Sequence, residues 1–362
     1  MKKSYKIKIE PLTAVHVGTG EKLTPLDYKI VNVKSSDGKI RRKYARFSTD
    51  SILRRIATDE KLSSEFDKFS EKSDMKSLQT FFHNQIKNED ILYLCEVTKD
   101  FEEKYNENIK KDPLQNAAEV LEMYRPESSK FPTIPGSSIK GAIRTALVDC
   151  VRDCNNDFDF YKAKKNKRFE SELLGYKDAK SDPFRTIRVS DCNFTNSKNQ
   201  GAGSLQIINN KTGHLSDANK SQVMAEVILG SFVRLENTGQ YFTITIDDDL
   251  QKSGNFNQKF KIKDIISECN YFYGAGFLTE YKTFYKNENS RKTELIEKLA
   301  SEIKKIKEME NSFVIRLGRW SQFEFVTLYD EKHKYGTSRT VFYYDGQYLP
   351  MGWCKCTVEE DK

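Results

Sequence analysis

The chain lacks any apolar run long enough to span a bilayer, and its Met-Lys-Lys start leads into alternating residues rather than a signal core. Neither a spanning helix nor a secretory signal is expected, and with that no membrane partner and a cytoplasmic location are expected. No Walker sequence is present, and Gly274-Ala275-Gly276 lacks the preceding strand of a dinucleotide fingerprint, so no cofactor is expected. The seven cysteines (Cys95, Cys150, Cys154, Cys192, Cys269, Cys354, Cys356) keep no zinc-site spacing. Cys150 and Cys154 fall one helical turn apart, and Cys354 and Cys356 share a strand face, but neither pair has a second half. Neither a metal nor, in a reducing compartment, a disulfide is expected. A large charge imbalance is also missing: 60 Lys and Arg against 53 Asp and Glu give +7. That excess permits a polyanionic partner without requiring one.

What remains is a 362-residue chain, 37% hydrophobic and 31% charged, long enough for one large or two ordinary domains. Tyr5, Ile7 and Ile9 alternate with lysines, and Leu12–Val17 runs into Gly18-Thr19-Gly20, a strand entering a sharp turn. Residues 27–33 read as a second strand before the turn at Asp37-Gly38. From 48 to 130 the chain is polar and helix-leaning around one apolar strand, Ile91–Val97. It reads as an insertion whose charges leave little for a core of its own.

Ile134-Pro135-Gly136-Ser137-Ser138 then supplies a turn and cap for a helix carrying Ile139, Ala142, Ile143, Ala146 and Leu147 on one side. Lys140 and Arg144 stand together on another side. Such an N-terminus, with free amides, two hydroxyls and two cations, suits a phosphate backbone; an ordinary amphipathic helix is the alternative. Strands are expected at 184–194, at 224–235 paired with 241–246, at 313–317 and 323–328, and at 341–344 and 353–358. Helices are expected at 262–278 and 294–310. The order strand, helix, strand, strand, helix, strand is the α+β ferredoxin-like arrangement, an antiparallel sheet with helices on one face and large insertions. Residues 1–245 would form the first domain, and 246–362 a second α+β part, a degenerate second ferredoxin-like unit.

His16 precedes a glycine turn and is the natural acid–base candidate, with Tyr28 near a leaving group. A histidine that only hydrogen-bonds at a strand end is the alternative, since His83, His214 and His333 lie in unrelated contexts. Asp27 reads as a turn or capping carboxylate, and Asp247-Asp248-Asp249 as a solvated acidic turn. Basic clusters occur at Arg41–Arg46 and at Lys162–Arg168. Arg316-Leu317-Gly318-Arg319-Trp320 offers phosphate contact plus base stacking, and Arg339 adds a cation beside small hydroxyls. With the helix these favour single-stranded RNA.

At these residues the sequence resembles the RAMP superfamily of CRISPR RNA-binding proteins. Ile134–Arg144 matches its helix-opening motif, Leu12–Gly20 its first strand and turn, Arg188-Val189-Ser190-Asp191 its next strand, and Arg316-Leu317-Gly318 the entry to its glycine-rich loop. Together with Leu23–Tyr28, Ala225–Ile228 and Leu349–Trp353, these are similar to the fifth subunit family of type III-A (Csm) effector complexes. Residues 48–130 are uncovered by the likeness. The resemblance implies an RRM-like fold and a place capping the 3′ end of the guide RNA beside the backbone subunits. It further implies a role in guide RNA maturation without a nuclease site of its own.

RNA contacts are then expected from His16, Gly18, Gly20, Ser137, Ser138, Lys140, Arg144, Arg188, Arg316, Gly318, Arg319, Trp320 and Arg339. One departure is that Arg319-Trp320-Ser321 stands where the family's loop carries more glycine, so side-chain contacts would replace close backbone approach. Asp27 falls near the target-cleaving aspartate of backbone subunits. Three readings follow: an RNA-binding module, a metal-independent guide-processing ribonuclease using His16, and a scaffold recruiting a host nuclease through residues 48–130.

Overall fold

In a computed structural model, the alternation at the N-terminus becomes a central strand: Ile7 and Ile9 turn into a core while Lys6 and Lys8 face out. The structure describes every residue except 36, 72–74, 112–117, 156–168, 210–222, 234–238, 287–289, 326–337 and 360–362. The basic cluster 162–168, His214 and His333 therefore lie outside the described residues.

In chain order the strands are β1 (Lys2–Pro11), β2 (Gly18–Leu23), β3 (Tyr28–Lys34), β4 (Ile40–Phe47), β5 (Ile91–Val97), β6 (Val120–Met123), β7 (Thr133–Ile134) and β8 (Ile187–Val189). They continue with β9 (Cys192–Asn193), β10 (Gln200–Asn209), β11 (Val223–Ile228), β12 (Gln240–Asp247), β13 (Ser312–Arg316), β14 (Ser338–Tyr344), β15 (Gln347–Pro350) and β16 (Trp353–Glu359). The helices are α1 (Thr49–Thr58), α2 (Glu60–Glu71), α3 (Met75–Gln85), α4 (Lys99–Asn108), α5 (Gly136–Asp153), α6 (Phe169–Leu174), α7 (Asp248–Ser253), α8 (Ile262–Glu280) and α9 (Ser290–Lys307).

One sheet has the order β13-β16-β1-β12-β8, antiparallel throughout. Its β1–α5–β8–β12–α8–β16 path is the ferredoxin-like βαββαβ unit, with strand order β16-β1-β12-β8. Helices α5 and α8 contribute Ile139, Ile143, Ile265, Cys269 and Phe277 to one core with Ile7, Ile9, Phe242 and Ile244. The sequence pattern alone does not say which of the C-terminal strands completes the unit. In the structure β16 holds that place and β13 is an added edge strand.

The second sheet runs β2-β6-β11-β10-β5-β4-β3, with β14 on β10 and β15 on β14. Two expectations give way here. Residues 224–235 and 241–246 do not pair, because β11 joins the second sheet and β12 the first. The 48–130 region does have cores: Phe47, Ile52, Ile56, Phe81 and Phe82 pack under α1–α3, and Tyr28, Tyr44, Phe101 and Tyr105 under α4. Its charged positions sit on the outer faces of helices such as α2, which buries no residue. Residues 246–362 contribute strands to both sheets rather than forming a sheet of their own. At 323–328 the described part is a 3-10 turn, Phe323–Phe325.

The segment after β1 joins the two sheets. Leu12 donates its N–H to the Trp353 carbonyl at 2.8 Å, and Val15 exchanges backbone hydrogen bonds with Ile228. Gly352 donates to Ala14, and Tyr124 to Val17. Residues 12–17 are thus the seam between the two sheets, and the glycine turn follows directly from it.

Candidate nucleic-acid interface

Pro135 enters α5 in extended geometry, and the first helical residue is Gly136. The Gly136 N–H donates to Asp191 Oδ1 at 2.7 Å, and a Cβ on Gly136 would stand 2.3 Å from the Val189 carbonyl oxygen. Only glycine allows this approach. Ile134 pairs with Cys192 beside it. The proline-glycine motif and the Arg188–Asp191 motif are therefore two halves of one joint. This corrects the expected cap: Asp191, not Ser137 or Ser138, satisfies the first amide and places a carboxylate at the positive helix end. Ser137 is exposed there.

From that start, helical periodicity sorts the side chains into three sides. Ile139, Ile143, Ala146 and Leu147 are fully buried. Lys140 and Arg144 face β8 and α6. Lys140 Nζ donates to the Ile187 carbonyl at 2.7 Å, and its half-buried ammonium has a lowered pKa, chiefly from burial. Arg144 donates to Glu170, to Asp182 at 2.9 Å and to the Tyr176 hydroxyl at 3.2 Å, lying over the Phe184 ring. Both cations thus have partners within the protein. Arg188, the next cation of that side, is exposed.

The third side, Ser138, Gly141, Ala142 and Thr145, lines a groove of about 580 Å³. Its other walls are Val17, Gly18 and Gly20 from the first turn, and Arg316–Arg319, Ser321 and Phe325 from the loop after β13. Gly318 has φ +93°, and a Cβ there would stand 2.4 Å from the His16 carbonyl oxygen, to which Arg319 N–H donates at 2.9 Å. The two turns are locked together through His16. Its Nδ1 bonds the Glu226 carbonyl at 2.7 Å, its ring lies 5.1 Å from Trp320, and it is 1% exposed. Burial, with Arg319 adding to it, holds its pKa near 4, so the ring is neutral at neutral pH. The Nδ1–H···O bond then leaves Nε2 as a lone pair, buried and without a partner behind Gly18.

The two arginines around Leu317 divide. Arg319 is exposed at the groove wall, with its guanidinium 5.7 Å from the half-buried Trp320 ring. Arg316 is 1% exposed, donating to Glu280 at 2.7 Å and to the Met351 carbonyl at 2.9 Å. Arg339, also 1% exposed, pairs with the same Glu280 at 3.0 Å and with Glu324 at 2.8 Å. These two guanidinia hold the loop from behind rather than facing solvent. A buried charge persists only when paired, and Glu280 serves both.

Gly18, Gly20, Ser138, Gly318 and Arg319 thus meet at one groove, with the buried Arg316 behind its wall; Lys140, Arg144, Arg188 and Arg339 do not line it. Gly141 and Thr145 were not among the expected contacts and Ala142 was expected on the apolar side, although their spacing from Ser138 (three, four and seven residues) marks one helix side. Asp27 accepts from the Thr24 N–H and hydroxyl, and Asp247 caps α7, as turn and cap roles require. Among the described residues no cluster of three or more His, Cys, Asp or Glu could hold a metal, and no helix is long and apolar enough to cross a membrane.

Two solved structures resemble this chain along its length. One is a chain of a Csm–crRNA–target RNA ternary complex of a type III-A CRISPR-Cas system, seen by cryo-electron microscopy. It is 15% identical, with TM-score 0.62 over 99% of this chain and 100% of that one. The other is the crystal structure of Csm5 from T. onnurineus, 17% identical, with TM-score 0.61 over 96% of this chain and 99% of that one. At such identities the likeness establishes the fold. No curated protein sequence matches the chain. The RAMP superfamily model, however, matches residues 8–322, from β1 through the Gly318 loop, and the chain belongs to that superfamily.

Proposed function

We propose that this protein is the guide-RNA-binding subunit that caps the 3′ end of the guide in a type III-A (Csm) effector complex and supports guide maturation. The observation that carries the reading is the meeting of three separate sequence motifs at one groove. Backbone exposed at Gly18 and Gly20 and half-buried at Gly318 lets a chain approach closely, and Arg319 supplies the cation. The whole-length likeness to chains of Csm structures supports the choice of complex, with the neighbouring backbone subunit as protein partner.

Co-expression with a CRISPR array tests it. The purified full chain should carry short RNA of uniform 3′ end, and the Arg319→Glu variant should carry much less. Heterogeneous cellular RNA, retained equally by both, would contradict the proposal.

The ribonuclease reading is weaker because His16 is enclosed. Its Nδ1 is engaged, and Nε2 reaches no solvent. Incubation of the protein with repeat RNA in EDTA should give no cleavage, and cleavage abolished by His16→Ala would restore the enzyme. Recruitment of a host nuclease through residues 48–130 is a third reading; deletion of that region should spare RNA binding and block 3′ trimming.

A further inference from the structure

The groove is built unlike a phosphate track. Its apolar surface comes from Val17, Ala142, Leu317 and Phe325, and two of its hydroxyls, Thr145 and Ser321, are already spent as donors. Thr145 Oγ1 donates to the Gly141 carbonyl at 3.0 Å, and Ser321 Oγ to the Gly318 carbonyl at 2.7 Å. What these oxygens still offer is lone pairs, which repel phosphate oxygens and suit the N–H groups of a nucleobase. His16 is enclosed behind Gly18 and adds nothing to the groove's surface. Phe325 is held edge-on by Phe272 and stacked on Tyr273, so the apolar floor is rigid. The volume of about 580 Å³ lies in the range of pockets that enclose a small organic ligand, far more than one anion needs. The exposed cation on the wall is Arg319.

We infer that the groove is a nucleobase pocket. One base of the bound RNA leaves the stack and inserts between α5 and the Gly318 loop, while Arg319 holds an adjoining phosphate at the mouth. This rests on the RNA-binding reading and names what the site takes.

Gly141 makes the test clean. It faces the groove, and a Cβ added there meets nothing within 4 Å. Removing a helical glycine also favours the helix. Gly141→Trp therefore fills the pocket from a position that tolerates it, and Gly141→Leu serves as a smaller filler should the indole perturb folding. The full chain is titrated with an oligoadenylate of about ten nucleotides, within the usual single-strand site size, and with an abasic ribose-phosphate oligomer of the same length. Loss of one stacked base predicts that the variants bind oligoadenylate about 5- to 100-fold more weakly. Binding of the abasic oligomer should stay unchanged.

Equal weakening of both oligomers would overturn the base pocket, making the groove a backbone track and leaving RNA binding at this site intact. No change with either oligomer in folded variants would remove RNA from the groove, overturning this inference and the site assignment together.

Discussion

Helix α5 has two polar sides with opposite fates. The side bearing Lys140 and Arg144 is the more attractive in the sequence, yet both cations are consumed by Ile187, Glu170 and Asp182. The side bearing Ser138, Gly141, Ala142 and Thr145 has no charge and lines the groove. The loop after β13 repeats the contrast within four residues, with Arg316 sealed against Glu280 and Arg319 exposed. A cation in a motif is therefore as often a fastener as a contact. On the proposed reading, small size and bare backbone are what open the groove to an RNA chain.

The contrast breaks most visibly where the sealed cations share one anion. Glu280→Ala leaves Arg316 and Arg339 buried beside a lost carboxylate, and should destabilise the protein by about 3–5 kcal/mol, read as a lower denaturant midpoint. If the midpoint hardly moved, the sealed cluster would not be holding the loop.

The neutral ring at the seam gives a pH signature. His16 has a folded pKa near 4, below its ordinary value of 6.5. Above pH 6.5 it is neutral in both states and carries no penalty. As pH falls from 6.5 to 4, the unfolded chain takes a proton that the folded chain refuses, so stability is lost. The loss should be on the order of 3 kcal/mol across that window. Asp149, raised to about 6 by burial, acts in the opposite sense there, so the comparison must be with His16→Gln, which should lose less stability on acidification than the wild type. Parallel pH profiles would contradict a buried neutral histidine.

Arg144→Ala should cost about 1–3 kcal/mol, discounted because its ion pairs are only half-buried, by stranding Glu170 and Asp182 and uncovering Phe184. RNA affinity at equal folded fraction should be unchanged. Lys140→Met should cost least, about 1 kcal/mol for one hydrogen bond to a carbonyl, again without effect on RNA. A fall in affinity with either variant would return phosphate binding to this side of α5.

The ferredoxin-like unit was legible because its strands alternate and its helices carry apolar residues at three- and four-residue spacing, as at Ile139, Ile143 and Leu147. Partner choice was not: nothing local tells Val223–Ile228 to join the second sheet and Gln240–Asp247 the first, since both are apolar strands near a turn. The 48–130 cores were missed because Phe47, Ile52, Phe81 and Phe82 are far apart in sequence and meet only in the fold. At the groove, the glycine turns at Gly18–Gly20 and Gly318 were legible as turns. The roles of Lys140, Arg144, Arg316 and Arg339 were not, because their counter-ions Asp182, Glu280 and Glu324 lie outside the motifs.

The most direct measurement is the salt dependence of RNA affinity for two variants of the full chain, Arg319→Ala and Lys140→Ala/Arg144→Ala. Each phosphate contact contributes about 0.7 to the slope of log K against log salt for a single strand. Arg319→Ala should lower the slope by about that amount, and the double variant should leave it at the wild-type value. A double variant with a reduced slope, beside an Arg319→Ala variant with none, would place the RNA on the other side of the helix and contradict the account.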